Sequence, residues 1–185
     1  CVNTGAPDGF FLGQLEAWTP TVPNAKVVLP PDASMLAFAC LAAGVCRATV
    51  RIGKIPEKEE SIGHEVLTEA VQKLGLVLDG TTVSTTPAST IAEVDLRHAN
   101  DLITPLAAMM ALAKGGTISG VAHAAFKETD RTTGTVNLLR QFGLRTSFQS
   151  GYLVVEGEQK IQQPDGLVET YGDHRMQMTA LVLAM

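Results

Sequence analysis

The sequence predicts a mixed α/β (α+β) fold made of repeated βαβαββ units, with buried helices surrounded by sheets. The same order of predicted elements occurs twice along the 185 residues. The first helix of each unit is apolar on most of its faces, as at residues 102–112, which is typical of a buried helix. Hydrophobic residues make up 45% of the chain and charged residues 18%, which excludes a highly charged disordered protein.

The first unit covers about residues 27–86 and begins with a short β-rich run. Asp32 is the expected N-cap of the first helix, and Gly75 is expected just beyond the second. The predicted elements, in chain order, are a strand over 27–29, a helix over 33–43, a strand over 48–52, a helix over 62–73, and strands over 76–78 and 82–85 around the turn Asp79-Gly80. Residues 1–26 fit neither unit, so we expect the tail of a preceding region and a crossover there.

The second unit covers about residues 93–156 and repeats this order, with Gly143 in the place of Gly75. Its predicted elements are a strand over 93–96, a helix over 102–114, a strand over 117–121, a helix over 128–141, and strands over 145–148 and 152–156. A truncated third unit covers 167–185, with a strand over 167–170 and a helix that begins at Asp173. The chain lacks an initial methionine and stops inside an apolar run, so we expect it to be a fragment of a longer protein.

Charge and hydropathy exclude several classes of function. The net charge is −5 and no basic block occurs, which argues against a nucleic-acid-binding protein. The longest apolar run, residues 35–46, is shorter than the roughly 20 residues that span a bilayer, so no membrane association is expected. No secretory leader opens the chain, and Cys40 is expected to be a small core residue. We therefore expect a reduced, cytoplasmic location.

No metal site is predicted, because the four histidines and three cysteines lack the paired spacing of metal ligands. The histidines are His64, His98, His123 and His174. No P-loop, glycine-rich nucleotide motif or nucleophile elbow occurs either.

Residues 127–131, Lys-Glu-Thr-Asp-Arg, form the strongest local cluster of chemical groups. They lie at a predicted helix start, where Lys127 and Arg131 would share a face and backbone N–H groups favour an anion. An acid such as Glu128 beside these cations could be held ionised or poised for proton transfer. Composition alone favours a simpler interpretation, a solvated and salt-bridged helix start.

Two further strand-to-helix junctions carry similar groups. In Gly172-Asp173-His174-Arg175, the arginine offers a planar fork for carboxylate or phosphate. Taken alone, Asp173 is more simply an N-cap and His174 a structural hydrogen-bonding residue. Asp101, at the matching junction of the second unit, is also most simply an N-cap. Because the three junctions share one topology, we expect Asp101, the Lys127 cluster and Arg175 at one end of the domain.

Residues 127–131 and Gly-Asp-His-Arg-Met at 172–176 resemble the signature pair of the 5-enolpyruvylshikimate-3-phosphate (EPSP) synthase family. Residues 95–101 resemble the segment that carries the catalytic aspartate of that family. Residues 31–34 resemble the segment where the chain enters the second globular half. The resemblance covers about residues 27–185.

The resemblance implies an enzyme of two similar halves, each with three βαβαββ units, that close on ligands between them. This chain would supply most of the C-terminal half, with the N-terminal half of the same enzyme as its partner. The family transfers the enolpyruvyl group of phosphoenolpyruvate to the 5-hydroxyl of shikimate 3-phosphate, in the shikimate pathway, and uses no metal or organic cofactor.

The resemblance also implies residue roles. Asp101 matches the proton acceptor that also holds a ring hydroxyl of shikimate, and Glu128 matches the proton donor or relay. Lys127 matches a contact to shikimate 3-phosphate. Arg131 and Arg175 match residues that contact phosphoenolpyruvate. His174 matches a residue near that site that lies one layer further out. Two departures are His123, where the family often has asparagine or glutamate, and Gln177, which replaces the usual alanine.

Two alternatives remain at this point. The related enolpyruvyl transferase that acts on UDP-N-acetylglucosamine shares the architecture, although the two motifs favour shikimate 3-phosphate. A non-catalytic domain of the same fold, which binds a partner or is a structural remnant, is the second alternative.

Overall fold

The structure is a computed structural model that describes residues 32–55, 63–88, 90–127 and 129–185. Its elements, in chain order, are α1 (Ala33–Cys46), β1 (Val50–Arg51), α2 (His64–Lys73), β2 (Leu76–Asp79), β3 (Thr82–Thr85), β4 (Ala92–Asp95), α3 (Ile103–Leu112), β5 (Gly116–Ser119), α4 (Arg131–Gln141), β6 (Thr146–Gln149), β7 (Tyr152–Val155) and α5 (His174–Leu183). Two short 3-10 turns, Asn100–Leu102 and Ala122–Phe126, precede α3 and α4. This mixture of helices and sheets confirms the predicted fold class.

The two sheets show the internal repeat. The first has the strand order β1-β3-β2 and is antiparallel throughout. The second has the order β4-β5-β7-β6, in which β4 and β5 are parallel and the other pairs antiparallel. Without β4, the second sheet has the order of the first. The strand predicted at 27–29, which would correspond to β4, lies outside the described residues, as do residues 1–26.

The helices that are apolar on most faces are buried, as their composition predicts. Nine of the ten residues of α3 are buried, and α3 packs against α1, α4 and α5. The first helix, α1, packs against both α3 and α5. Burial raises the pKa of the Cys40 thiol in α1 to about 12, so this cysteine is a core residue and not a reactive thiol.

The second helix of each unit is amphipathic and covers a sheet. Only three of the ten residues of α2 are buried, and α2 packs against β2 and β4. Helix α4 packs against β6 and against α3 and α5. Gly75 and Gly143 follow these helices with φ of 76° and 71°, in the left-handed region expected of a residue just after a helix.

The start of α4 differs from the prediction. We expected a helix from residue 128, but α4 begins at Arg131, because the Asp130 side chain accepts hydrogen bonds from the amides of Thr132 and Thr133. Lys127 therefore follows a 3-10 turn and is not on α4. The argument that Lys127 and Arg131 share a helical face was wrong.

The strand predicted at 167–170 does not form. Its backbone is bonded to a side chain of α4 instead of a neighbouring strand: the Glu169 amide donates to Gln141 Oε1 at 2.8 Å, and Gln141 Nε2 donates to the Glu169 carbonyl at 3.1 Å. The Leu167 side chain is fully exposed. In the described part of the chain, no helix is both long enough and apolar enough to cross a bilayer.

Candidate anion-binding site around Asp101

Three cationic residues among those predicted for the site meet beside the carboxylate of a fourth, Asp101. Asp101 lies in the 3-10 turn between β4 and α3, and Lys127 follows the 3-10 turn after β5. Arg131 is the first residue of α4, and Arg175 is the second residue of α5. The junctions of successive units thus come to one end of the domain, as their shared topology predicts.

Asp101 contacts three cations through its two oxygens. Arg131 Nη1 donates to Oδ1 at 2.6 Å, and Lys127 Nζ lies 3.5 Å from the same oxygen. Arg175 Nη2 donates to Oδ2 at 3.1 Å. The Asp101 side chain is 40% exposed, so the cluster opens to solvent on the side of this carboxylate.

Arg131 has a second carboxylate partner, Asp173. Arg131 Nε donates to Asp173 Oδ2 at 2.9 Å, and the two side chains are 1% and 0% exposed. The other oxygen of Asp173 accepts from the amides of Arg175 and Met176 at 2.8 and 3.4 Å, which caps α5. Sequence reasoning identified the cap and missed the ion pair, although an aspartate next to a site arginine was a signal for it.

Asp101 is not an N-cap, contrary to the simplest interpretation of its sequence position. The N-cap residue of α3 is Leu102, which makes no side-chain cap bond. The 3-10 turn carries Asp101 ahead of the first amides of α3, and the cations occupy both carboxylate oxygens. The aspartates that do cap helices are Asp32, Asp130 and Asp173.

The charges of the cluster stabilise one another. Partial burial alone would raise the pKa of Asp101, but Arg175, Arg131 and Lys127 outweigh it and lower the pKa below its ordinary value. Burial alone would lower the pKa of Arg131, but its bonds to Asp173 and Asp101 raise it. At neutral pH the described residues of the cluster thus bring three cations to two carboxylates, a net positive charge.

Arg175 retains hydrogen-bonding capacity that the described residues do not use. Its Nε and Nη1 are buried and have no hydrogen-bond partner in the described part of the chain. Buried donors in native proteins are almost always paired, so two unpaired N–H groups on one guanidinium indicate a site for an external acceptor. A guanidinium fork fits the paired oxygens of a carboxylate or phosphate.

The remaining predicted residues are placed as follows. Glu128 lies outside the described residues. His174 is exposed at the first position of α5, and His123 is exposed in the 3-10 turn before Lys127. Within the described ranges, no group of three His, Cys, Asp or Glu side chains could hold a metal ion.

Comparison with known proteins gives a family match for nearly the whole chain. Residues 19–185 match the family model of EPSP synthase (3-phosphoshikimate 1-carboxyvinyltransferase). Proteins named 3-phosphoshikimate 1-carboxyvinyltransferase are similar to the chain. That of Methanocorpusculum labreanum is 32% identical over 158 residues, covering 83% of this chain and 36% of the relative. That of Halorubrum lacusprofundi is 28% identical over 189 residues, covering 96% and 40%.

A third relative of that name, from Nostoc punctiforme, is 29% identical over 160 residues, covering 84% of this chain and 37% of its own length. The chain thus spans less than half the length of the relatives it matches. Because the family model covers nearly all of the chain, and two motifs of that family converge on Asp101, the chain belongs to the EPSP synthase family.

Proposed function

We propose that this chain carries part of the active site of an enzyme of the shikimate pathway. That enzyme transfers the enolpyruvyl group of phosphoenolpyruvate to the 5-hydroxyl of shikimate 3-phosphate and releases phosphate. The observation that supports it best is the Asp101 carboxylate held among Lys127, Arg131 and Arg175, beside unpaired N–H groups of Arg175. The names of the relatives favour shikimate 3-phosphate over UDP-N-acetylglucosamine as the acceptor.

The arginines suit phosphoenolpyruvate, which carries a carboxylate and a phosphate. Arg175 offers its Nε and Nη1 donors to the oxygens of phosphoenolpyruvate. Arg131 contributes a guanidinium that the hydrogen bond from its Nε to Asp173 holds in position. Neutralising and orienting both anionic groups places the reactive double bond next to Asp101. Lys127, at the exposed side of the cluster, is suited to the phosphate of shikimate 3-phosphate.

Asp101 is proposed to accept the proton of the attacking hydroxyl. With its oxygens paired to cations it is a weak base, because these contacts lower its pKa. A substrate anion that takes over Arg175 and Arg131 would remove those contacts and raise the basicity of Asp101. Substrate binding would thus activate the base. The roles of Glu128 as proton donor and of His174 behind the site rest on the family resemblance alone.

The test uses the chain together with the N-terminal half of a family member, and measures phosphate release from both substrates. Asp101→Ala should lower kcat by about 10²- to 10⁴-fold, the usual contribution of proton transfer. Arg175→Ala should mainly raise the KM for phosphoenolpyruvate. Arg145→Ala, at an exposed arginine paired with Glu156 away from the cluster, is the control and should change neither.

An active assembly in which both site variants match the wild type would remove the proposed roles. Release of phosphate with UDP-N-acetylglucosamine and not with shikimate 3-phosphate would reassign the acceptor. No release with either acceptor would favour the non-catalytic domain.

A further inference from the structure

We propose that Asp173 is a positioning residue that holds Arg131 and Arg175 in a fixed relation to each other for binding of the anionic substrate. This inference deepens the proposed function and rests on it for the identity of the anion. It concerns a residue that does not itself touch the substrate.

The two oxygens of Asp173 are divided between two helix starts. Oδ1 caps α5 and so fixes the backbone that carries Arg175, with the Arg175 amide 2.8 Å away. Oδ2 accepts from Nε of Arg131, the first residue of α4, at 2.9 Å. One carboxylate therefore links the segments that carry the two arginines.

Asp101 links the same two arginines from the opposite side. Its Oδ1 accepts from Arg131 Nη1 and its Oδ2 from Arg175 Nη2. Asp173, Arg131, Asp101 and Arg175 thus form a closed ring of contacts. Arg131 is held at two different nitrogens, which fixes the rotation of its guanidinium plane.

Burial distinguishes Asp173 from a simple N-cap. Asp32 and Asp130 also cap helices, and both are exposed. Asp173 is 0% exposed, and burying a carboxylate is strongly unfavourable unless a partner compensates for the lost hydration. An aspartate can cap α5 without being buried. A buried carboxylate is needed, however, to pair with the Arg131 side chain, which is itself buried.

The ring gives Asp173 a role that persists when substrate binds. Substrate anions can replace the partly exposed Asp101 on both arginines, because this carboxylate faces solvent. Buried Asp173 cannot be replaced in this way, so it keeps Arg131 Nε while the other nitrogens turn to the ligand. The arginines would otherwise need to be ordered at each binding event, which weakens affinity.

The experiment compares Asp173→Asn with Asp130→Asn in the 185-residue chain assembled with the N-terminal half of a family member. An asparagine can still cap a helix through its carbonyl, but it lacks the second carboxylate oxygen for Arg131. The first readout is the Nε–H NMR signal of Arg131, assigned by its loss in Arg131→Lys. In the ligand-free wild type, this signal should exchange slowly with solvent. The second readout is titration with phosphoenolpyruvate and, separately, with inorganic phosphate.

Asp173→Asn should lose the slowly exchanging signal and bind phosphoenolpyruvate at least about tenfold more weakly, a difference of about 1.4 kcal/mol. Asp130→Asn should keep both properties. Asp173→Asn with the wild-type signal and wild-type affinity would overturn the proposal.

Arg131→Lys covers the case in which Asp173→Asn does not fold, because it leaves the cap of α5 intact. A lysine keeps the charge but cannot donate to Asp173 and Asp101 from two fixed nitrogens. It should also weaken binding about tenfold or more, and affinity equal to the wild type would overturn the proposal. A wild-type assembly of the chain with the N-terminal half that shows the Arg131 signal but binds no phosphoenolpyruvate would count against the proposed function alone.

Discussion

At the scale of single residues, the Asp101 carboxylate is surrounded by Lys127, Arg131 and Arg175, which lower its pKa despite partial burial. In the unfolded chain the same group should titrate near pH 4. A carboxylate with a lower pKa in the folded state stabilises the fold above its unfolded pKa. That contribution is lost as the pH falls through the folded pKa.

We therefore predict that Asp101→Asn removes part of the acid sensitivity of the fold. At pH 7 the variant should be less stable than the wild type, because three cations lose their counter-charge. The two should converge only as the pH falls below about 4 and through the lowered folded pKa of Asp101, since the wild-type carboxylate then becomes protonated in the folded state as well. Urea unfolding between pH 7 and pH 3 measures this. A stability difference that stays constant over that range would contradict the prediction.

Four aspartates at helix starts show how far residue type alone is informative. Asp32 and Asp173 cap helices as predicted, whereas Asp130 caps α4 where no cap was predicted and Asp101 does not cap α3. Aspartate near a helix start thus led to two correct predictions, one missed cap and one wrong interpretation. The difference lies in the 3-10 turn before α3 and in the cations supplied by later segments, neither of which is a local property of Asp101.

At the scale of elements, α3 and α4 share a buried hydrogen bond. The hydroxyls of Thr104 and Thr135 lie 2.9 Å apart, and both residues are 0% exposed. This pair links the helix after Asp101 to the helix that begins with Arg131.

We predict that Thr104→Val and Thr135→Val each destabilise the fold by about 1–3 kcal/mol, because each leaves a buried hydroxyl unpaired. The double variant should cost much less than the sum, since it removes both polar groups at once. Urea unfolding of the four proteins in a double-mutant cycle measures the coupling. Additive costs would show that the two hydroxyls do not depend on each other.

The repeat supplies a matched pair of glycines for a second test. The atoms nearest to a Cβ at Gly75 would be backbone atoms of Thr86 and Ala88, whereas those nearest to a Cβ at Gly143 would belong to the exposed Gln162 side chain. Both glycines have positive φ.

We predict that Gly143→Ala costs about 1–2 kcal/mol, the usual penalty of the left-handed conformation. Gly75→Ala should cost distinctly more, because backbone cannot move aside as a side chain can. The free energies of unfolding of both variants, measured in urea, decide this. Equal losses of unfolding free energy would contradict the prediction and would mean that the backbone after β3 shifts to make room for the Cβ at position 75.

At the scale of the whole molecule, the chain carries a net charge of −5, and the described site cluster is only slightly positive. Both proposed substrates carry several negative charges. Orientation and neutralisation of both therefore need cations beyond those of this cluster.

We predict that the 185-residue chain folds but does not turn over alone, and that addition of an N-terminal half of a family member restores some activity. Phosphate release from shikimate 3-phosphate and phosphoenolpyruvate is the measurement, with Asp101→Ala in the mixture as the control for background. Turnover by the chain alone in the usual enzyme range of about 1–10³ s⁻¹ would contradict the prediction.

The sequence by itself determined the fold class, the repeat and most element positions, whereas the cationic residues of the candidate site were identified from the repeated junctions and the family motifs. The fold class and element positions follow from local patterns: hydrophobic periodicity selects helix or strand, and the apolar helices must be buried whatever their partners. The start of α4 was misplaced by three residues, because the side chain of Asp130 accepts hydrogen bonds from the amides of Thr132 and Thr133 and caps the helix there.

Only the tertiary structure decided which groups meet. Asp173 and Arg131 are 42 residues apart, and their pairing depends on how α4 lies against α5, where Gly134 allows close approach of the buried Met176. The segment at 167–170 likewise reads as a strand but bonds to Gln141 of α4. Such contacts depend on long-range packing, and a local sequence pattern does not specify which distant group satisfies a buried charge or a backbone amide.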